Sequence, residues 1–408
     1  MRRPFITLLA ASALSVTGNI LTMLAVPWFV LDTTGSAGLT GLAAFATTFP
    51  IVVSAAFGGT IVDWMGFRGA SVVSDLASGL IVLAIPVLFV TTGLSYQALL
   101  LLLFVRWLAA TPGETARKAM VPDLSALGRI RLERATAACD GVSRGATMVA
   151  APLAGVLILW LGPTVLLLFD AITFLLSAAL IGLGVPRVGH ERGPREPGDS
   201  GGYVSDLRDG MTFLWRDRLQ MSATTMIVVT NMLDTGVTQV LLALYAREAT
   251  GDPRAFGLLT GALGAGAVAG AIVYGAAGER LPRRLTYGCC FLIAGVPRIL
   301  VLALGAPFPV ALAVTALSGF AAGAINPILG VLQFDRIPVR LRARVLSSIT
   351  AAAYAGMPVG GLLAGSLTEL TGLTFTLSAF ACVYLLASVP PFVFRAWREL
   401  DPQQPAST

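Results

Sequence analysis

Long apolar runs recur along this chain, separated by short polar connections. In order they cover 5–31, 39–62, 69–90, 96–110, 136–160, 163–185, 219–245, 256–277, 285–305, 309–331, 345–367 and 374–394. A helix needs about 20 mostly apolar residues to cross the roughly 30 Å hydrocarbon layer. Only helices and closed barrels satisfy their backbone polar groups in lipid, and runs of this length specify helices. The pattern therefore predicts an all-α membrane protein with twelve transmembrane helices in two pseudo-symmetric six-helix bundles. The expected divisions are an N-terminal bundle at 1–186, a linker at 187–218, a C-terminal bundle at 219–396 and a tail at 397–408. Within the linker, 187–202 is rich in Gly, Pro and charge. Tyr203, Leu207, Met211, Phe213 and Leu214 then alternate with Asp206, Arg208, Asp209 and Arg216, the pattern of a short amphipathic helix lying at the membrane surface.

The two halves repeat one another. After the second run, the chain reads Gly59, Asp63, Gly66, Arg68; at a constant offset the same order returns as Gly275, Glu279, Pro282, Arg284, with Arg280 beside the acid. An acid, a turn former and a cation thus join paired apolar segments twice, which implies duplication. The first run could pass for a secretory signal, but it is of spanning length. Its exit, Asp32, Thr34, Gly35, also aligns with Glu248, Thr250, Gly251 inside the chain, so a spanning helix is expected there.

Composition agrees with the pattern. Mean hydropathy is +0.81, 56% of residues are hydrophobic and 12% are charged, values outside the range of soluble domains of this length. Most of the 28 Lys and Arg fall at the ends and in alternate connections, which places both termini in the cytoplasm. The net charge of +6 then suits insertion and anionic lipid, and no nucleic-acid partner is expected. Four cysteines lie in apolar runs without ligand spacing, and His190 is the only histidine. No GxxxxGK[ST] loop occurs. The chain therefore offers no metal cluster, no catalytic triad and no nucleotide-binding loop, and no cofactor is expected.

The spacing Gly59, Asp63, Gly66, Arg68 resembles the loop 2-3 signature of the major facilitator superfamily, and Gly275, Glu279, Arg280, Arg284 resembles its weaker copy in loop 8-9. The strings Thr33-Thr-Gly-Ser36, Ala116-Arg-Lys-Ala-Met-Val-Pro-Asp123 and Phe169-Asp-Ala-Ile-Thr-Phe174 resemble the macrolide-efflux and enterobactin-exporter branch. Trp64 departs from the family, which usually has a cation there. The resemblance implies a monomeric transporter in a bacterial plasma membrane, with helices 1, 4, 7 and 10 lining a central cavity. It implies export of a small amphiphilic compound in exchange for protons, with the acid-base turns acting as gating hinges. A nutrient importer would share these features. A lipid-modifying membrane enzyme would need a nucleophile or metal constellation, and neither is found.

Candidate residues follow from polar groups inside the apolar runs, where they are costly and mark ion or substrate paths. Helix 1 carries Ser12, Ser15, Asn19 and Thr22; helix 7 carries Asn231, Asp234 and Thr238; helix 10 carries Thr315, Ser318 and Asn326. Asp234, near mid-membrane, is the leading proton site, with Arg106 on helix 4 as the cation that the resemblance aligns with the family's intramembrane arginine. Glu114 stands near the cytoplasmic mouth of helix 4, as an attractor of cations or as a solvated group. On helix 5, Asp140 and Arg144 have the i,i+4 spacing at which opposite charges share one face, as a proton relay or as a structural ion pair. Ala151, Pro152 and Gly155 continue that face in the order of a degenerate antiporter motif, with Pro358, Gly360 and Gly361 at the related position in helix 11. Asp170 and Asp75, each expected within about two turns of a membrane face, either reach the interface or take a direct part in coupling, and Arg298 is expected to snorkel outward. Gly257, Gly261, Gly266 and Gly270 on helix 8 predict close helix packing.

Overall fold

The computed structural model describes residues 2–186, 211–278, 281–337 and 341–400, and these are helical almost throughout. Among the described residues, eleven helices are long and apolar enough to cross a membrane. The longest, Leu132–Gly184, has 53 residues, two spans' worth, and breaks where Gly162 takes φ 80° and ψ 162°. The count thus agrees with twelve. We name them α1 (Arg3–Thr34), α2 (Ala37–Met65), α3 (Phe67–Thr91), α4 (Tyr96–Leu127), α5 (132–161), α6 (163–184), α7 (Arg218–Thr250), α8 (Pro253–Ala277), α9 (Arg283–Ala303), α10 (Phe308–Arg336), α11 (Arg344–Thr371) and α12 (Leu373–Val393).

Duplication is visible in the joints. Between α11 and α12, Gly372 takes φ 86° and ψ 165°, nearly the values of Gly162 between α5 and α6. Only glycine adopts that region readily, so each half reserves one for its tightest turn. Gly66 joins α2 to α3 in a related conformation, φ 74° and ψ 153°. Its counterpart Pro282 stays at φ −64°. Two helix starts in the first unit carry side-chain caps: Ser36 accepts from the Leu39 N–H at 3.1 Å and Ser95 from the Ala98 N–H at 3.2 Å.

The chain forms two compact units, Met1–Asp199 with Ala246–Gly261, and Ser200–Tyr245 with Ala262–Thr408. In the first, Phe5, Leu8 and Ala11 of α1 pack with Met120, Leu124 and Ile181. Lipid tails are as apolar as Leu, so burial alone does not drive helices together, and close contact by small residues does. Gly155 of α5 meets α8 so closely that an added Cβ would stand 3.0 Å from the Pro253 carbonyl, while one on Gly257 would stand 2.5 Å from that of Ala151. Gly261 presses on the Pro152 ring. In the second unit, Gly266 and Gly270 of α8 lie against the α10 backbone at Ala316 and Phe320, and Gly360 of α11 lies against Met232 of α7.

The amphipathic segment expected at 203–216 is described from 211 on. Residues 211–216 are helical, and Leu214 is buried with Ile337, Val345 and Ile349. His190 and residues 203–210 lie outside the described residues.

Candidate functional site

The first unit holds two acid-arginine pairs inside its membrane-spanning helices. Asp75 of α3 receives Arg117 Nη1 at 2.9 and 3.0 Å on its two oxygens, and Ser177 Oγ of α6 donates to it at 2.6 Å. Arg117 Nη2 also donates to Ser15 Oγ of α1 at 2.9 Å. Asp75 and Arg117 are both buried, at 2% and 7% exposure. This corrects the expectation that Asp75 reaches the interface: it lies within a closed net that ties α1, α3, α4 and α6. Arg117, which the hydropathy pattern assigns to a cytoplasmic connection, belongs to α4 instead, because that helix continues to Leu127, well past the apolar run that ends at 110.

The second pair is looser. Arg106 Nη2 of α4 donates to Asn19 Oδ1 of α1 at 2.7 Å and lies 3.9 Å from Asp170 Oδ2 of α6. Both charged side chains are wholly buried, so the expectation that Asp170 reaches a membrane face is also corrected. Thr22 Oγ1 donates to the Asp170 carboxylate. The Arg106 guanidinium lies 4.2 Å from the Trp107 ring centroid and 5.0 Å from that of Phe174, contacts that stabilise a desolvated cation. Its Nε and Nη1 have no hydrogen-bond partner among the described residues. Arg106 is thus held by aromatic faces and Asn19, and less by the carboxylate.

A cavity of about 770 Å³ adjoins this pair. Asn19, Trp107 and Arg117 join its wall to the buried acids, while Val16, Ile20 and Met23 supply apolar surface. Asp140 and Arg144 also line it. Contrary to the i,i+4 expectation, those two form no ion pair with each other among the described residues, and both are exposed. Each faces open space, where water outcompetes a pairing worth only a few tenths of a kcal/mol. Glu114, at the same cavity, pairs with Lys118 at 2.7 Å with both ends exposed.

In the second unit, Asp234 of α7 is paired with Arg298 of α9 through Arg298 Nη2. Tyr384 of α12 stands beside the same pair. Arg298 is 5% exposed, which overturns the snorkelling expectation. Gly295, one turn before it, leaves room for the Tyr384 ring. The Asp234 side chain retains 37% exposure, so its carboxylate is partnered but accessible. Directly after it, α7 widens into a π turn at Val237–Leu241, a feature frequent at functional sites. Asn231 Nδ2 donates to the Ala353 carbonyl at 3.4 Å, while Asn326 is exposed. Pro358 and Gly361 are buried beside Gly360 in α11.

Of the hinge residues, Arg68 donates to the Gly182 carbonyl at the end of α6. Arg284 Nε donates to the Pro391 carbonyl at 2.6 Å and Nη2 to that of Phe392 at 2.9 Å, at the end of α12. The two repeat-related arginines therefore do one job, satisfying orphan carbonyls at the C-terminus of the last helix in each half. An added Cβ at Gly275 would meet open space. Glu279 and Arg280 lie outside the described residues, as do the side chains at Gly59 and Asp63.

Comparison with known proteins shows the family. The family model "Major Facilitator Superfamily" matches residues 224–408. The chain is 31% identical over 407 residues to the multidrug efflux pump Tap of Mycobacterium tuberculosis, covering 98% of this chain and 95% of that protein. It is 29% identical over 403 residues to the pump of the same name from Mycolicibacterium fortuitum, covering 98% of each. Among solved structures, a point mutant of the nucleoside transporter NupG superposes with a TM-score of 0.80 at 11% identity, over 95% of this chain and 98% of that one, a likeness of fold alone. The near full-length relationship to Tap and the long apolar helices together establish that the chain belongs to the Major Facilitator Superfamily and is a secondary transporter, an integral membrane protein rather than an enzyme.

Proposed function

We propose that this transporter exports small amphiphilic compounds, drugs or secreted natural products, in exchange for protons. It does so as a monomer in a bacterial plasma membrane with both termini cytoplasmic. The observation that carries the reading is the path from the 770 Å³ cavity through Asn19 and Arg106 to the buried Asp170. The cavity's apolar stretch takes the hydrophobic part of a ligand, and its charged rim, Glu114, Asp140 and Arg144, takes the polar part. Loading the cavity shifts Asn19, and with it the arginine that favours the charged form of Asp170. A proton can then be taken up or released without stranding Arg106, which keeps its aromatic contacts. Inward movement of each proton releases about 2.3 kcal/mol per 100 mV, enough to drive a neutral solute uphill.

Asp234 is the second acid available for coupling, in the other unit. Its direct pairing with Arg298 makes its charge more costly to remove than that of Asp170. Kinship to a pump named for multidrug efflux supports export over import.

The test is compound-triggered proton flux in liposomes, read with an internal pH dye, for the wild type, Asp170→Asn and Asp234→Asn. Flux lost in Asp170→Asn and retained at least in part in Asp234→Asn supports the assignment. Full flux in Asp170→Asn refutes it and leaves Asp234 as the coupling acid. Compound accumulation against its gradient in the direction of the protons would identify an importer.

A further inference from the structure

A second site stands in the C-terminal unit, away from the acid-arginine pairs. Two cavities meet there. One, of about 730 Å³, is lined by Arg216, Asp217, Arg218, Arg336, Arg395 and Glu399. The other, of about 640 Å³, is largely apolar and runs between α7 and α12 past Met221, Thr225, Val229, Ala387 and Pro390. Arg218 and Arg395 line both and so mark the junction.

Charge at the junction is unbalanced. Arg336 occupies both acids, donating to Asp217 Oδ2 at 2.9 Å and to Glu399 Oε2 at 2.8 Å. Asp217 in addition caps α7 by accepting from the Leu219 and Gln220 N–H groups. Arg216, Arg218 and Arg395 are exposed and make no ion pair among the described residues. The arrangement is nevertheless built. Trp397, two residues past Arg395, is wholly buried, donates to Ser222 Oγ at 3.0 Å and packs 5.4 Å from the Tyr287 ring. Arg284 holds the carbonyls of Pro391 and Phe392 just upstream. The turn that presents Arg395 is thus clamped on both sides. Trp215 and Phe394, 68% and 54% exposed, flank the apolar groove, as aromatic residues do at the level of lipid headgroups.

From this we propose that the junction is a binding site for an anionic phospholipid, its phosphate on Arg218 and Arg395 and one acyl chain in the groove between α7 and α12. Guanidinium groups match phosphate oxygens bidentately. The groove lies on membrane-spanning helices, so its occupant needs a hydrocarbon chain, which a soluble phosphate compound lacks. Selectivity for anionic lipid follows from the acids. A choline headgroup brings its own cation next to Arg216, Arg218 and Arg395, which repel it, and both carboxylates that could offset that repulsion are already engaged by Arg336. A bound lipid would tie the C-terminal turn to the start of α7.

The proposal is tested by native mass spectrometry of the full chain in nonionic detergent. The probes are palmitoyl-oleoyl phosphatidylglycerol, the matching phosphatidylcholine, and glycerol phosphate as a headgroup without chains. Phosphatidylglycerol should be retained at least tenfold better than phosphatidylcholine, and glycerol phosphate should bind weakly. At about fivefold per surface cation, the double variant Arg218→Gln with Arg395→Gln should weaken retention about 25-fold. Thr225→Trp, filling the groove at an exposed position, should weaken it with every arginine in place. Arg134→Gln, an exposed cation in the other unit, should change nothing, and thermal unfolding should show all variants folded. Equal retention of the two lipids overturns the proposal. So does glycerol phosphate binding as tightly as phosphatidylglycerol, which marks a free-anion site, or an equal loss in Arg134→Gln, which marks unspecific charge. None of these results bears on proton coupling, which is read by flux alone.

Discussion

Two buried acids in one bundle, each facing an arginine, should respond to the same substitution to very different degrees. Asp75→Asn removes the charge from a carboxylate with close contacts to Arg117 and Ser177. Removing one partner of a closed buried pair costs about 3–5 kcal/mol, because the other charge is stranded. At about 2–4 °C per kcal/mol for a unit of this size, the melting temperature should fall by on the order of 10 °C. Asp170→Asn removes a charge 3.9 Å from Arg106, where attraction at an effective dielectric of 20 is about 4 kcal/mol. It also removes the desolvation cost of a wholly buried carboxylate, itself several kcal/mol. The asparagine carbonyl can still accept from Thr22, and Arg106 keeps Asn19, Trp107 and Phe174. The two terms nearly cancel, and the melting temperature should move by no more than about 2 °C. Thermal unfolding of the purified variants in one detergent reads both. Equal destabilisation would refute the reasoning, since it would make Asp170 as structural as Asp75.

Other outcomes follow from the same geometry. Gly257→Leu should drive a side chain into the Ala151 carbonyl and cost about 1–3 kcal/mol, read as lower thermal stability and weaker crosslinking between cysteines placed at 152 and 261. Arg298→Met should destabilise by a few kcal/mol by leaving Asp234 unpaired, and adding Asp234→Leu should recover most of it; a thermal double-mutant cycle measures the coupling. Arg68→Gln and Arg284→Gln should each cost about 0.3–1 kcal/mol, with faster amide exchange confined to the ends of α6 and α12.

Much of the architecture was legible because lipid leaves few options. Run length gave the spans, and the Asp63 and Glu279 repeat gave the duplication. The turn glycine at 66 and the close-packing glycines of α8 were readable for the same reason, since sterics at those points admit little else. Pairing was harder to read. Asp75 with Arg117, Asp170 with Arg106 and Asp234 with Arg298 each join different helices, and no sequence period reports a contact between helices. The i,i+4 spacing of Asp140 and Arg144 reports neighbourhood on one face, and exposure there removes the incentive to pair. Hydropathy ends α4 near Ala110, whereas the helix continues to Leu127 with Arg117 turned inward, so the pattern alone leaves Arg117 in a connection. A signal existed: Ser15, Ser71, Asp75 and Ser177 are polar groups inside apolar runs and together need a donor-rich partner.

The most direct test of the central claim is accumulation of a fluorescent amphiphilic compound in liposomes under an imposed pH gradient of either sign. Compound moving opposite to protons, reversing when the gradient is reversed and lost in Asp170→Asn, is the expected result. Compound movement that ignores the gradient in the wild type would contradict proton-coupled export.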